Sequence, residues 1–178
     1  VILGIASLTP QGVMGASLQM INHGISTGAL FLLVGMVYER RHTRQIAGYG
    51  GIMAVMPIYG VIFLVVTLSS IALPGTNGFV GEFLILLGTF KTQPVYAILA
   101  STGVVFGAVT MLWMFRRVFF GPITHEENKK LTDLSFREVV LMIPLLILIF
   151  WIGVAPGFLT KKMEKTVLKF VDQVSTNR

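Results

Sequence analysis

Two side chains inside the apolar spans of this sequence have the chemistry to carry a proton. Glu82 is the first: between Gly50 and Phe115 the only charged residues are Glu82 and Lys91, and Lys91 stands at the end of its apolar span. A carboxylate carried into hydrocarbon is expensive, and such residues usually face a bundle interior or a water-filled cavity and take part in ion or proton movement. His23 is the second. Gln19, His23 and Thr27 fall at i, i+4 and i+8, with Asn22 and Ser26 beside them, so their helix presents a polar face. Imidazole ordinarily titrates near neutral pH, which suits it to take and release a proton. A polar stripe on a spanning helix needs protein or water against it rather than lipid. Plainer readings stand beside both: Glu82 at the aqueous edge of a turn, and His23 as a neutral histidine hydrogen-bonded to a neighbouring helix.

The elements that must position these groups are transmembrane helices. The chain is 54% hydrophobic and 12% charged, with a mean hydropathy of +0.79, whereas about a quarter of the residues in a soluble domain are charged. The expected fold is an all-α, multi-pass membrane protein of about four spans plus the end of a fifth. Val1–Leu8 is too short to span and reads as the end of a helix begun upstream, in a fragment without a signal peptide. After the turn at Thr9–Gly12, the apolar run Val13–Tyr38 is 26 residues long and ends in the basic ERRHTR. The second span, Pro57–Lys91, is interrupted by LPGTNGF at Leu73–Phe79. There Pro74 removes a backbone donor, while Gly75 and Gly78 permit dihedrals other residues resist. Two readings compete, a helix broken at membrane depth or an ordinary turn near one surface. Pro57–Leu73 is 17 residues, roughly 25 Å of helix at about 1.5 Å per residue, nearly enough to cross alone.

The third span is expected at Pro94–Trp113, where Ser101, Thr102 and Thr110 read as helix-packing donors. The fourth, Val139–Val154, has no charged residue, ends at Pro156 and Gly157, and reads as lipid-facing or structural. Residues 159–178 form a separate amphipathic segment. In it Met163, Val167, Phe170, Val171 and Val174 recur at helical spacing among Lys161, Lys162, Lys165 and Lys169. It suits a membrane surface, or a neighbouring subunit. Lys and Arg number three after the first full span, one after the second and five after the third. That pattern places Glu39–Met56 and Arg116–Arg137 in the cytoplasm and Lys91 opposite, with the lysine-rich tail on the side the rule disfavours.

The absence of cysteine rules out disulfides, thiolate-bound zinc, cysteine-ligated iron–sulfur clusters and a cysteine nucleophile. The formal net charge of +6 sits at the ends of apolar spans rather than on one face, which argues against nucleic acid as a partner.

LQMINHGISTGALFLLVGMVYERRHTR at Leu18–Arg44 and ALPGTNGFVGEFLILLGTF at Ala72–Phe90 resemble the antiporter-like membrane subunits, of the M type, in bacterial respiratory complex I, the proton-pumping NADH:quinone oxidoreductase. The resemblance covers essentially the whole chain and implies the last four of fourteen helices and the end of a fifth, the second span being the discontinuous twelfth. It implies that His23 belongs to the polar axis that relays protons along the membrane plane. Glu82 would sit at the end of one proton path, while Gln19, Asn22, Ser26 and Thr27 remain the polar face around His23 read from their spacing. Near the start of the resumed half-helix the dipole favours the anion while burial favours the neutral acid, opposed effects that suit proton exchange. A glutamate–lysine pair and a further lysine of the family belong to a part not present here. The resemblance further implies a non-redox subunit of a translocase in the bacterial inner membrane. Flavin, iron–sulfur clusters and quinone would lie in partner subunits, with no cofactor or metal in this chain and other membrane subunits, lipid and protons as partners. A subunit of a Mrp-type cation/proton antiporter or of a membrane-bound hydrogenase is the alternative.

Overall fold

The computed structural model describes residues 1–176, and all the regular elements among them are helical. In chain order they are α1 (Ile2–Ala6), α2 (Pro10–Arg41), α3 (Pro57–Ser70), α4 (Asn77–Thr92), α5 (Pro94–Phe119), α6 (Glu126–Lys129), α7 (Phe136–Val154) and α8 (Gly157–Thr176). Three of these, α2, α5 and α7, are long and apolar enough to cross a membrane. With the interrupted pair α3 and α4 they make the four spans expected of a multi-pass membrane protein.

Helix ends follow local chemistry and run past the apolar runs. Thr9 caps α2, its Oγ1 accepting from the Gly12 N–H at 3.1 Å, and Pro10 occupies the first turn, so the expected turn at Thr9–Gly12 is cap and helix start. At the other end His42 takes a left-handed conformation, φ 54°, and stops the helix. Ser135 and Glu138 form a reciprocal capping box on α7. At the start of α3 the Asp133 carboxylate accepts from the N–H groups of Ile58 and Tyr59 at 2.8 and 3.0 Å. Helix α5 continues through Arg116 and Arg117 to Phe119, beyond the expected Trp113.

One register decides between the two readings of the interruption. Along α2 the neighbours run Leu33 with Tyr59, Ser26 with Ser69, Asn22 with Asn77, and Gln19 with Glu82. Tyr59 and Ser69 belong to α3, Asn77 and Glu82 to α4, so the two half-helices follow one another antiparallel to a single long helix. The chain breaks and then continues in the same direction. A turn near the surface would have sent α4 back along α3. The break lies opposite Asn22 and Ser26, near the middle of α2, and spans residues 71–76. It is shorter at its end than expected, because Asn77, Gly78 and Phe79 are already helical.

The two basic loops meet at one end of the bundle. Arg41 pairs with Glu127 and its Nε donates to the Asn128 Oδ1 at 2.8 Å. The Asn128 Nδ2 donates to the Gly48 carbonyl, and His125 bonds the Ala47 carbonyl. Burial pushes the nearby Tyr49 phenol above its ordinary pKa, with Arg41 acting against it. Beneath these loops lies the core, where Leu33, Met56, Tyr59, Val66, Phe119 and Met142 are buried. The Phe115 and Phe119 rings stack with centroids 4.3 Å apart. At the opposite end α8 lays Val167 and Val171 on Val13 of α2, so tail and basic loops lie at opposite ends.

The third span turns most of its surface outward, and its hydroxyls do not join helices. Ser101, Thr102 and Thr110 each donate to a carbonyl of α5 itself. The fourth span is more than a lipid-facing element. Its Gly153 abuts the break, where an added Cβ would stand 2.5 Å from the carbonyl carbons of Gly75 and Thr76.

Candidate functional site

The break is built by three backbone devices. After α3 the chain closes a Schellman motif: Leu73 N–H reaches the Leu68 carbonyl at 3.0 Å, and Ala72 adopts φ 58°. Pro74 follows and forbids a return to helix, and Gly75, at φ +92°, takes a conformation costly for any residue with a Cβ. Gly78 is needed for a different reason. It packs against the Ser69 carbonyl at the place where a side chain would begin. Of the three residues expected to break the helix, Pro74 and Gly75 therefore form the break and Gly78 lets α4 start close to the end of α3.

From Gly78 onward α4 lies on α2 with backbones nearly touching. A Cβ at Gly15 would stand 2.7 Å from Leu84 Cβ and Ile85 N, and one at Gly81 would stand 3.1 Å from the Asn22 Nδ2. Small residues are what permit such an approach between membrane helices. Glu82 follows Gly81 and is the sixth residue of α4. It thus lies past the first turn, where the helix dipole acts most strongly, so that contribution is weaker than the sequence suggested.

Glu82 has one hydrogen-bond partner among the described residues: the Gln19 Nε2 donates to its Oε1 at 3.4 Å. The carboxylate lines a cavity of about 340 Å³ together with Gln19, Ser70, Ala100, Gly103 and Gly107. The α5 wall is made of small side chains, which leaves the room. Gln19 Oε1, Asn22 Oδ1 and Thr67 Oγ1 are buried polar atoms without a hydrogen-bond partner among the described residues. Buried acceptors of this kind are ordinarily satisfied by water.

The structure divides the polar face of α2 in two. Gln19 turns to Glu82, and Asn22 and Ser26 turn to the break, where both are buried. His23 and Thr27 point the other way: His23 is exposed, and its Nδ1 lies 3.2 Å from the Thr27 Oγ1 one turn along the same helix. Among the described residues the hydrogen-bond partner of His23 is Thr27 of its own helix, not a residue of a neighbouring one. His23 and Glu82 are not joined by a hydrogen bond among the described residues. Four residues that shape the site were not singled out from the sequence: Ser69, Asn77, Gly81 and Gly153. Asn77 carried a signal, being an amide inside an apolar span.

The family model described as NADH:quinone oxidoreductase/Mrp antiporter, TM, matches residues 1–107. NADH-quinone oxidoreductase subunit M of Rhodobacter capsulatus is 44% identical over 171 residues, covering 96% of this chain and 33% of the relative. A chain in the structure of respiratory complex I from Thermus thermophilus with bound NADH superposes with a TM-score of 0.87 at 33% identity, over 96% of this chain and 36% of that one. The Mrp complex from Dietzia sp. gives a TM-score of 0.82 over 96% of this chain and 40% of its own, but at 16% identity it shares the fold alone. The chain spans about a third of the length of the curated relatives it matches. From a broken helix laid along an unbroken one, and a family match over more than half its residues, the chain belongs to the NADH:quinone oxidoreductase/Mrp antiporter transmembrane family.

Proposed function

We propose that this chain is part of the antiporter-like subunit M of a proton-pumping NADH:quinone oxidoreductase, and that it carries one section of the proton path. The observation that carries the reading is Glu82, which lies within a membrane-spanning element, just past the break, with Gln19 beside it and a cavity in front of it. A carboxylate so placed exchanges protons with whatever water the cavity holds, and does no redox chemistry. NADH oxidation and quinone reduction then belong to partner subunits, which hold the flavin, the iron–sulfur clusters and the quinone. His23, on the outward face of α2, hands protons to groups beyond this chain. Residues 1–158 form the membrane unit and 159–176 a helix at its surface, the last two residues of the expected 159–178 segment lying outside the described ones, in the cytoplasmic membrane of a bacterium, among other membrane subunits and lipid. The 44% identity to a subunit M favours this reading over a Mrp-type antiporter.

The experiment is proton pumping in sealed vesicles carrying the whole complex, with NADH–quinone turnover followed in parallel. Glu82→Gln is expected to lower pumping by at least about tenfold, as loss of a positioned acid–base group does, while the complex still assembles. His23→Ala is expected to lower it as well. Normal pumping by an assembled Glu82→Gln complex would remove Glu82 from the path.

A further inference from the structure

The polar groups at the break are arranged in a circuit. The Ser69 hydroxyl donates to the Asn77 Oδ1 at 2.6 Å, which uses the only proton that hydroxyl has. In the 2.8 Å contact between the Ser26 and Ser69 hydroxyls, Ser26 is therefore the donor. The Ser26 oxygen in turn lies 3.4 Å from the Asn77 Nδ2, which donates to it. The ring closes in one sense: Ser26 to Ser69, Ser69 to Asn77, Asn77 to Ser26. These residues belong to α2, α3 and α4, so the ring joins both halves of the broken helix to the unbroken one.

Asn22 fixes the sense of the ring. Its Nδ2 donates to the Asn77 carbonyl at 2.6 Å, and the Asn77 Nδ2 donates back to the Asn22 carbonyl at 3.3 Å. Reversing the ring would require the Asn77 amide to turn end for end, which would set its oxygen against the Asn22 carbonyl. The four side chains are 0 to 5% exposed, so a partner lost there is not readily replaced by solvent, and buried networks of this kind specify one geometry.

We propose that this ring, clasped by Asn22, is the positioning device for Glu82: Asn77 sets where α4 begins, and Glu82 lies five residues further along the same helix. The link is mechanical. Gly78 seats on the Ser69 carbonyl and Gly81 on Gln19 and Asn22, so a shift of Asn77 moves the helix that carries the carboxylate. The effect on pumping rests on the role given to Glu82 above; the effect on its surroundings does not.

The test uses the assembled full complex with two readouts. One is the ratio of protons pumped to NADH oxidised. The other is the pH titration of the Glu82 carboxyl, followed as an infrared difference band assigned by its loss in Glu82→Gln. Asn77→Ala is expected to move the titration midpoint by about one pH unit, a shift of the size a changed environment produces, and to lower the pumping ratio at least about twofold. Ser26→Ala, which opens the ring without altering α4, should do the same to a smaller extent, and Ser26→Thr, which keeps the hydroxyl, should restore the wild-type titration. If Asn77→Ala fails to assemble, the Ser26 pair decides. Variants that lose thermal stability but leave the midpoint in place would overturn the proposal. A moved midpoint with normal pumping in Glu82→Gln would keep the positioning role and remove Glu82 from the proton path.

Discussion

Arg40 and Glu138, at the ends of different helices, meet as a two-pronged ion pair: Nη1 reaches Oε1 and Nη2 reaches Oε2, each at 2.7 Å. The same guanidinium donates to the carbonyls of Met36, Thr132 and Asp133, which ties the end of α2 to the loop before α7. Because the two side chains are 17 and 15% exposed, the pair is worth more than a surface ion pair and less than a buried one. Arg40→Ala is expected to destabilise by about 2 kcal/mol. Arg40→Lys should recover less than half of that, since an ammonium cannot match the fork. Thermal unfolding of the purified subunit assembly measures this, and equal midpoints for wild type and Arg40→Ala would contradict it.

Asp133 caps α3 from a distant part of the chain through two backbone N–H groups. Asp133→Ala should cost about 1 kcal/mol, and Asp133→Asn less, because an amide oxygen still accepts one bond. Comparison of the two variants in the same unfolding assay checks the order, which an equal loss would contradict.

Ala72 holds φ 58° at the end of α3. Such a conformation costs a residue with a Cβ roughly 1–2 kcal/mol, part of which glycine returns in the flexibility of the unfolded chain. Ala72→Gly is expected to raise the unfolding midpoint slightly. A lower midpoint would mean that the Ala72 methyl contributes packing that outweighs the strain.

Gly153 lets α7 lie directly on the break. Gly153→Val should push α7 from Gly75 and Thr76, lowering the amount of assembled complex several-fold on gels of intact membranes. Overpacking of this kind typically costs about 1–3 kcal/mol. Wild-type assembly of the variant would show that the contact is loose.

Both basic loops lie at one end of the bundle, and the lysine-bearing α8 at the other. With the loops in the cytoplasm, a cysteine at position 129 in place of lysine should be protected from a membrane-impermeant thiol reagent in right-side-out vesicles, and one at position 165 should be labelled. Labelling in the reverse pattern would invert the orientation.

The spans, the interruption and the place of Glu82 inside one span were legible in the sequence because each depends on local chemistry: apolar length, Pro74 and Gly75, and one carboxylate among hydrocarbon side chains. The facing of α2 was not. At about 100° per residue, Gln19, Asn22, His23, Ser26 and Thr27 cover a sector of about 140°, wide enough to meet one neighbour with Asn22 and Ser26 while His23 and Thr27 look elsewhere. Periodicity says which residues share a side and is silent on where neighbours divide it. Ala72 escaped notice since alanine is an ordinary helix residue, and its left-handed conformation is imposed by the Schellman closure. Gly153 was one small residue in a featureless apolar run, given meaning only by a segment it meets from nearly eighty positions away.

The ring of Ser26, Ser69 and Asn77 carries no formal charge. A membrane voltage works only on charge, by about 2.3 kcal/mol for each elementary charge carried across 100 mV, so it exerts no net pull on these three side chains. Glu82, when ionised, does feel a fraction of that voltage, set by its depth. An energised membrane is therefore expected to act on the carboxylate and leave the joint beneath it where it is, a fixed pivot beside a field-sensitive group.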